Sequence, residues 1–137
     1  MDLSITERTR EGIVILDAKG QIVAGDGADR LRDRVKALTE AGTLNLILNL
    51  AHVNYIDSSG LGALVMSYSA VRKKEGAMKL LNLTRRNVEL LVLTKLETVF
   101  EVFDDEQSAV NSFFPNREIK RFDILSFLQQ RKPGAGE

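Results

Sequence analysis

The 137-residue sequence has no cysteine and a single histidine, His52. The first absence excludes disulfides, thiolate metal sites and cysteine nucleophiles, and one histidine cannot build a His-rich metal centre. Any proton transfer would have to use that imidazole or carboxylates. Charge of one sign is also lacking, since 19 Lys and Arg balance 19 Asp and Glu for a formal net charge of zero. A strongly electrostatic nucleic-acid binder is not expected on that balance. Long hydrophobic runs are missing too. The N-terminus, Met1 to Arg8, has no apolar signal-peptide core, and Leu44–Leu50 falls far short of the ~20 residues that cross a bilayer. The expectation is a cytoplasmic protein with no cofactor, no metal, no membrane contact and no direct nucleic-acid partner.

Loops that would carry nucleotide or hydrolytic chemistry are absent as well. Gly25, Gly27 and Gly42 do not have dinucleotide-loop spacing, and no Gly-Lys-Ser/Thr follows a glycine at P-loop distance. There is no Gly-x-Ser-x-Gly elbow. His52, Asp57 and Ser58 lie close in sequence, but triad members rarely come from one short loop. His52 reads as a loop histidine without a catalytic role.

What is present is a core and a rhythm. Hydrophobic residues make up 44% of the chain, enough for one ordinary domain. Leu3 to Arg8 and Ile13-Val14-Ile15-Leu16 read as two strands joined at Arg10-Glu11-Gly12, with Gly20 closing the second and Ile22-Val23 as a short third. Ala28, Leu31, Val35 and Leu38 recur at helical spacing after Asp26, a candidate N-cap, and Gly42 marks the helix end. Leu44–Leu50 suits a central strand covered on both faces. A second helical stripe runs through Leu61, Leu64, Val65, Tyr68 and Val71 and ends before Gly76. Met78–Leu83 reads as a strand, Val88 to Val92 as a helix, Val99–Phe103 as a strand, and Asp104-Asp105-Glu106 as the start of a fourth helix. Strands alternating with helices predict an α/β fold with a mostly parallel central sheet and an antiparallel N-terminal edge.

The informative junction is Asp57-Ser58-Ser59-Gly60-Leu61-Gly62, between the most apolar strand and the second helix. Loops at the carboxyl ends of parallel strands are where ligands and partners bind. Ser58 stands where an N-cap belongs, and Gly60 and Gly62 are poor helix formers, each costing up to about 1 kcal/mol relative to Ala. Capping and tight helix–strand packing account for such residues in an ordinary fold. A functional reading is equally physical, because a phosphoryl group on a serine at a helix N-terminus meets free N–H donors and the positive end of the dipole.

From Leu3 to Phe114 the chain resembles the STAS domain of bacterial anti-sigma factor antagonists. The resemblance rests on Asp57-Ser58-Ser59-Gly60-Leu61-Gly62 after Leu46-Ile47-Leu48-Asn49-Leu50, with Lys79-Leu80-Leu81-Asn82-Leu83 and Leu96-Glu97-Thr98-Val99-Phe100 as further family-like segments. It implies a STAS-type fold and a non-enzymatic binding module. It also implies phosphorylation of Ser58 by an anti-sigma factor that is itself a serine kinase, with a phosphatase to reverse it. Only the unphosphorylated antagonist would bind that partner and release a sigma factor. The implied partner-binding residues are Asp26, Asp57, Ser58, Ser59, Gly60, Leu61 and Gly62. The chain departs from the family at Gly20-Gln21-Ile22-Val23, where a Gly-Glu-Ile/Leu-Asp turn is usual, so Val23 replaces an acid of the partner-binding face. The alternative is a STAS module of another signalling or transport complex in which Ser58 is only a helix cap.

Residues 1–115 are expected to form the STAS domain and 116–137 a C-terminal extension, partly helical and then disordered. Glu118 to Gln130 carries Ile119, Phe122, Ile124, Leu125, Phe127 and Leu128 on two faces of one expected helix, which would pack on its own domain or mediate self-association.

Overall fold

The computed structural model describes residues 2–130. Strands β1 (Ser4–Arg10), β2 (Ile13–Ile22), β3 (Asn45–Ile56), β4 (Ala77–Leu81) and β5 (Val102–Phe103) form one sheet in that spatial order. β1 pairs antiparallel with β2, and every later pair is parallel. The expected α/β architecture and antiparallel edge are therefore as found. Glu11 and Gly12 join the hairpin with φ of 52° and 82°. Two successive positive φ values make a type I′ turn, whose twist matches that of the strands.

Helices α1 (Asp26–Glu40), α2 (Ser58–Lys73) and α3 (Arg85–Leu93) cover one face of the sheet through Leu31, Val35, Leu64, Val71, Val88 and Leu91. Helix α4 (Glu106–Asn111) covers the other with Ala109 and Val110. Along β3, Leu46, Leu48 and Leu50 point to the first layer and Ile47 to the second. That two-sided burial is why this strand reads as a continuous apolar run.

Several elements differ from the sequence expectation. β2 does not stop at Gly20 and no separate Ile22-Val23 strand follows; the strand runs through the glycine to Ile22. Register shifts flank that position, and a Cβ on Gly20 would lie 2.2 Å from the Asp2 carbonyl oxygen. The glycine thus serves an irregularity inside a strand. Asp26 is not a cap: the capping position is Gly25 with no side-chain bond, and the Asp26 carboxylate pairs with Arg30 at 3.2 Å. The expected Val99–Phe103 strand shrinks to Val102–Phe103, because Leu96–Thr98 winds into a 3₁₀ turn and Phe100 drops into the core. After α2 the left-handed residue is Glu75, not Gly76, which is needed because its Cβ would sit 2.3 Å from the Leu44 carbonyl oxygen.

Among the described residues of the C-terminal segment, only α5 (Ile124–Gln129) is helical, and there Asp123 caps the first turn by accepting from Ser126 N–H at 3.1 Å. Upstream of the cap, hydrogen bonds to α4 compete with helix formation. The Glu118 carbonyl accepts from Asn111 and the Lys120 N–H donates to Ser108 Oγ, both at 2.8 Å. Phe122, Ile124, Phe127 and Leu128 pack on the main core, and Phe122 meets Phe127 edge to face at 5.2 Å. The expected disorder and the Pro133-Gly134-Ala135-Gly136 end lie outside the described residues.

We propose that residues 1–115 fold alone and that the extension shields apolar surface on α3. Truncation after Pro115 should then keep a cooperative unfolding transition but lower solubility and cause concentration-dependent association in sedimentation velocity, since uncovered apolar patches associate. Loss of the cooperative transition would instead make the extension part of the core.

Candidate functional site

The site grows from the carboxyl ends of β2, β3 and β4, where the chain turns into α1, α2 and α3. β3 ends at Ile56, and Asp57 follows in an extended conformation that turns its carboxylate back over the first turn of α2. One carboxylate oxygen accepts from the Gly60 N–H at 2.8 Å, and the other accepts from the Ala24 N–H at 3.0 Å. Asp57 is therefore the N-cap of α2 and a clasp on the β2–α1 loop together. Hydrogen bonds from Ala24 first, and then Gly60, hold its pKa below the usual aspartate value. The carboxylate stays ionised at neutral pH.

This corrects the expectation for Ser58. It is the first helical residue and not the cap. Its side chain is exposed, as is that of Ser59. With Asp57 as cap, the Ser58 hydroxyl is not committed to holding the helix end, so Ser58 does not have the capping role that the alternative gave it.

The two glycines of the junction have different duties. A Cβ on Gly60 would lie 1.8 Å from the Ile22 carbonyl oxygen, so α2 begins in backbone contact with the end of β2. The Asp57 N–H donates to that same carbonyl at 3.3 Å. A Cβ on Gly62 would meet nothing within 4 Å, and the residue is exposed. Gly60 serves the fold, whereas no packing contact calls for Gly62.

Asp57, Ser58 and Leu61 form one wall of a groove of about 430 Å³. The opposite wall is α3, which brings Arg86, Asn87, Leu90 and Leu93, while Tyr55 comes from β3. Leu93 is 82% exposed, so this rim is apolar and open. Helix α3 is held firmly there: Thr84 caps it, and the buried Asn87 amide donates to the Val53 carbonyl at 2.9 Å. The Arg86 guanidinium lies 4.6 Å from the centre of the Tyr55 ring.

Of the residues expected at the site, Asp57, Ser58 and Leu61 share this groove. Ser59, Gly60 and Gly62 sit on the first turns of α2 outside it, and Asp26 lines a separate hollow with Asp29, Arg30 and Arg34. Sequence reasoning missed Arg86, Asn87, Leu90 and Leu93. The usable signal was topological, because α3 follows β4, the parallel neighbour of β3, and must start at the same end of the sheet.

The placement of His52 also changes. It belongs to β3, opposite Lys19, and not to a loop. The four strand residues that follow it, Val53 to Ile56, carry the chain about 13 Å further before the turn at Asp57, which separates the imidazole from Ser58. No Ser-His-Asp constellation forms. Among the described residues no cluster of three His, Cys, Asp or Glu is arranged to hold a metal ion, and no helix is long and apolar enough to cross a membrane.

Comparison with known proteins places these features in context. The family model for the STAS domain matches residues 4–109. The anti-sigma-B factor antagonist of Bacillus subtilis is 29% identical over 110 residues, 80% of this chain and 99% of that protein. The solved structure of the Thermotoga maritima protein TM1081 superposes with a TM-score of 0.74 at 21% identity, covering 79% of this chain and 92% of that one. The phosphorylated form of the Bacillus cell fate determinant SpoIIAA gives a TM-score of 0.64 at 15% identity, with coverage of 81% and 100%.

Proposed function

Because this chain belongs to the STAS domain family, we propose that it acts as an anti-sigma factor antagonist, a binding module switched by phosphorylation of Ser58. In the unmodified state it binds an anti-sigma factor with serine kinase activity and so frees a sigma factor; a phosphatase restores the modified protein. The cytoplasm is its place of action, and it needs no cofactor of its own. The observation that carries this reading is the release of Ser58 from structural duty. Asp57 caps the helix, Gly60 anchors it to β2, and the Ser58 hydroxyl stands exposed at the rim of a groove. A kinase can reach that hydroxyl without unfolding anything.

The partner-binding residues fall into three roles. Asp57 holds the β2–α1 loop and α2 in register, and with it the neighbouring Asp26. Ser58, Ser59 and Leu61 present the contact surface. Gly60 lets α2 start in contact with β2, and Gly62 keeps the exposed side of its first turns bare. The experiment is a labelling assay with mass spectrometry. The protein alone with ATP should incorporate no phosphate, because the sequence holds no phosphate-binding loop. Adding the cognate kinase should place one phosphate on Ser58. Self-labelling, or phosphate on Ser59 only, overturns the mechanism.

Gly62 supplies an independent test. Its Cβ would be unopposed in a helix, so Gly62→Ala should stabilise the isolated protein by about 0.5–1 kcal/mol through helix propensity. If the bare surface serves docking, the same change weakens partner binding while the denaturation midpoint rises. A rise in stability with unchanged affinity would remove Gly62 from the interface.

A further inference from the structure

We infer that Arg86 is the receptor for the Ser58 phosphate within this chain: on phosphorylation its guanidinium leaves the face of Tyr55 and pairs with the phosphoryl oxygens across the groove. The inference rests on the reading of Ser58 as the modified residue and adds the group that holds the modification. Arg86 and Ser58 line opposite walls of one groove. Arg86 is exposed and its guanidinium rests on the Tyr55 ring, without a carboxylate partner among the described residues.

Its neighbour shows the contrast. Arg85 is consumed by structure: it donates to the carbonyls of Phe127 and Gln130 at 3.1 Å and to that of Leu128, and it lies 3.7 Å from Glu89. The other charges of the groove do not compete for Arg86. Both Asp57 oxygens are taken by backbone N–H groups, and Glu89 faces Arg85. Among the described residues, Arg86 is thus the one cation that lines the groove. It sits on the first turn of a helix that Thr84 and Asn87 hold in place. A guanidinium binds a phosphate dianion through two parallel hydrogen bonds, which a neutral aromatic face cannot match. The switch then does more than add charge. It closes the apolar groove with an ion pair and withdraws Arg86 from any partner.

The test uses full-length protein with phosphoserine installed at position 58 during translation, so it does not depend on any kinase. A ³¹P NMR titration reads the second phosphate pKa, which is about 6 for an unpaired phosphoserine. A paired guanidinium favours the dianion, so Arg86→Gln should raise that pKa by about half a unit or more relative to the parent, and Arg86→Lys by less. The Tyr55 ring resonances should shift on phosphorylation in the parent and stay in place in Arg86→Gln. Equal phosphate pKa values in parent and Arg86→Gln overturn the inference while leaving Ser58 as the kinase target. An equally large response with phosphoserine at position 59 also overturns it, because that would be general field and not a receptor. Absence of kinase labelling at Ser58 would count against the function proposed above and not against this pairing.

Discussion

Ser58→Asp should bind the anti-sigma partner about a hundredfold more weakly than the unmodified protein, whereas Ser58→Ala should bind persistently and resist phosphorylation. The size follows from burying a carboxylate at an interface where the binding partner offers no opposite charge, which costs several kcal/mol. About 2.7 kcal/mol already corresponds to a hundredfold loss. Neither substitution should disturb the fold. Since Asp57 is the cap, Ser58→Ala leaves the helix end intact, and its denaturation midpoint should match the parent within about 0.5 kcal/mol, as for other exposed sites. Titration calorimetry against the purified partner reads the affinities directly. A Ser58→Asp protein that binds as tightly as the parent would end the switch hypothesis.

The second large effect is expected at Gly60, only two residues further along the same helix. Gly60→Ala places a methyl group 1.8 Å from the Ile22 carbonyl oxygen. That oxygen is backbone in the end of a central strand and cannot move aside as a flexible side chain would. The first turn of α2 must lift instead, breaking the Asp57 N–H bond to Ile22 and the two carboxylate bonds that clasp Ala24 and Gly60. Overpacking of this kind costs about 3 kcal/mol. Urea unfolding should show that loss, and labelling by the kinase should fall with it because Ser58 moves with the turn. The sign is opposite to that expected for Gly62→Ala, although both replace a glycine of one short motif. A Gly60→Ala protein as stable as the parent would mean that α2 can begin further from β2.

Much of this molecule is legible in its residues alone. The alternation of apolar strands with helical stripes determines an α/β fold with a parallel sheet, because period 2 and period 3.6 demand different partners. The doubly covered β3 is visible as Leu46 to Leu50, and the candidate switch as Asp57 to Gly62. Pairing details are not visible. Whether Asp57 or Ser58 caps α2 is a matter of one residue, and both types cap helices well. The geometry chooses Asp57 because its longer side chain reaches Gly60 and Ala24 at once. Likewise the motif shows two glycines, but a glycine that avoids a collision and a glycine in open space look the same until β2 is placed beside α2. Arg86 was beyond reach for the same reason. It is distant from Ser58 in sequence, and only the parallel pairing of β3 with β4 brings their helices to one groove. Local composition therefore settles which elements form and where the Asp57 to Gly62 junction falls between them. The packing of those elements settles which residue holds the helix, which glycine has open space beside it and which residues line the groove next to Ser58, because those questions turn on atoms from segments far apart in the chain.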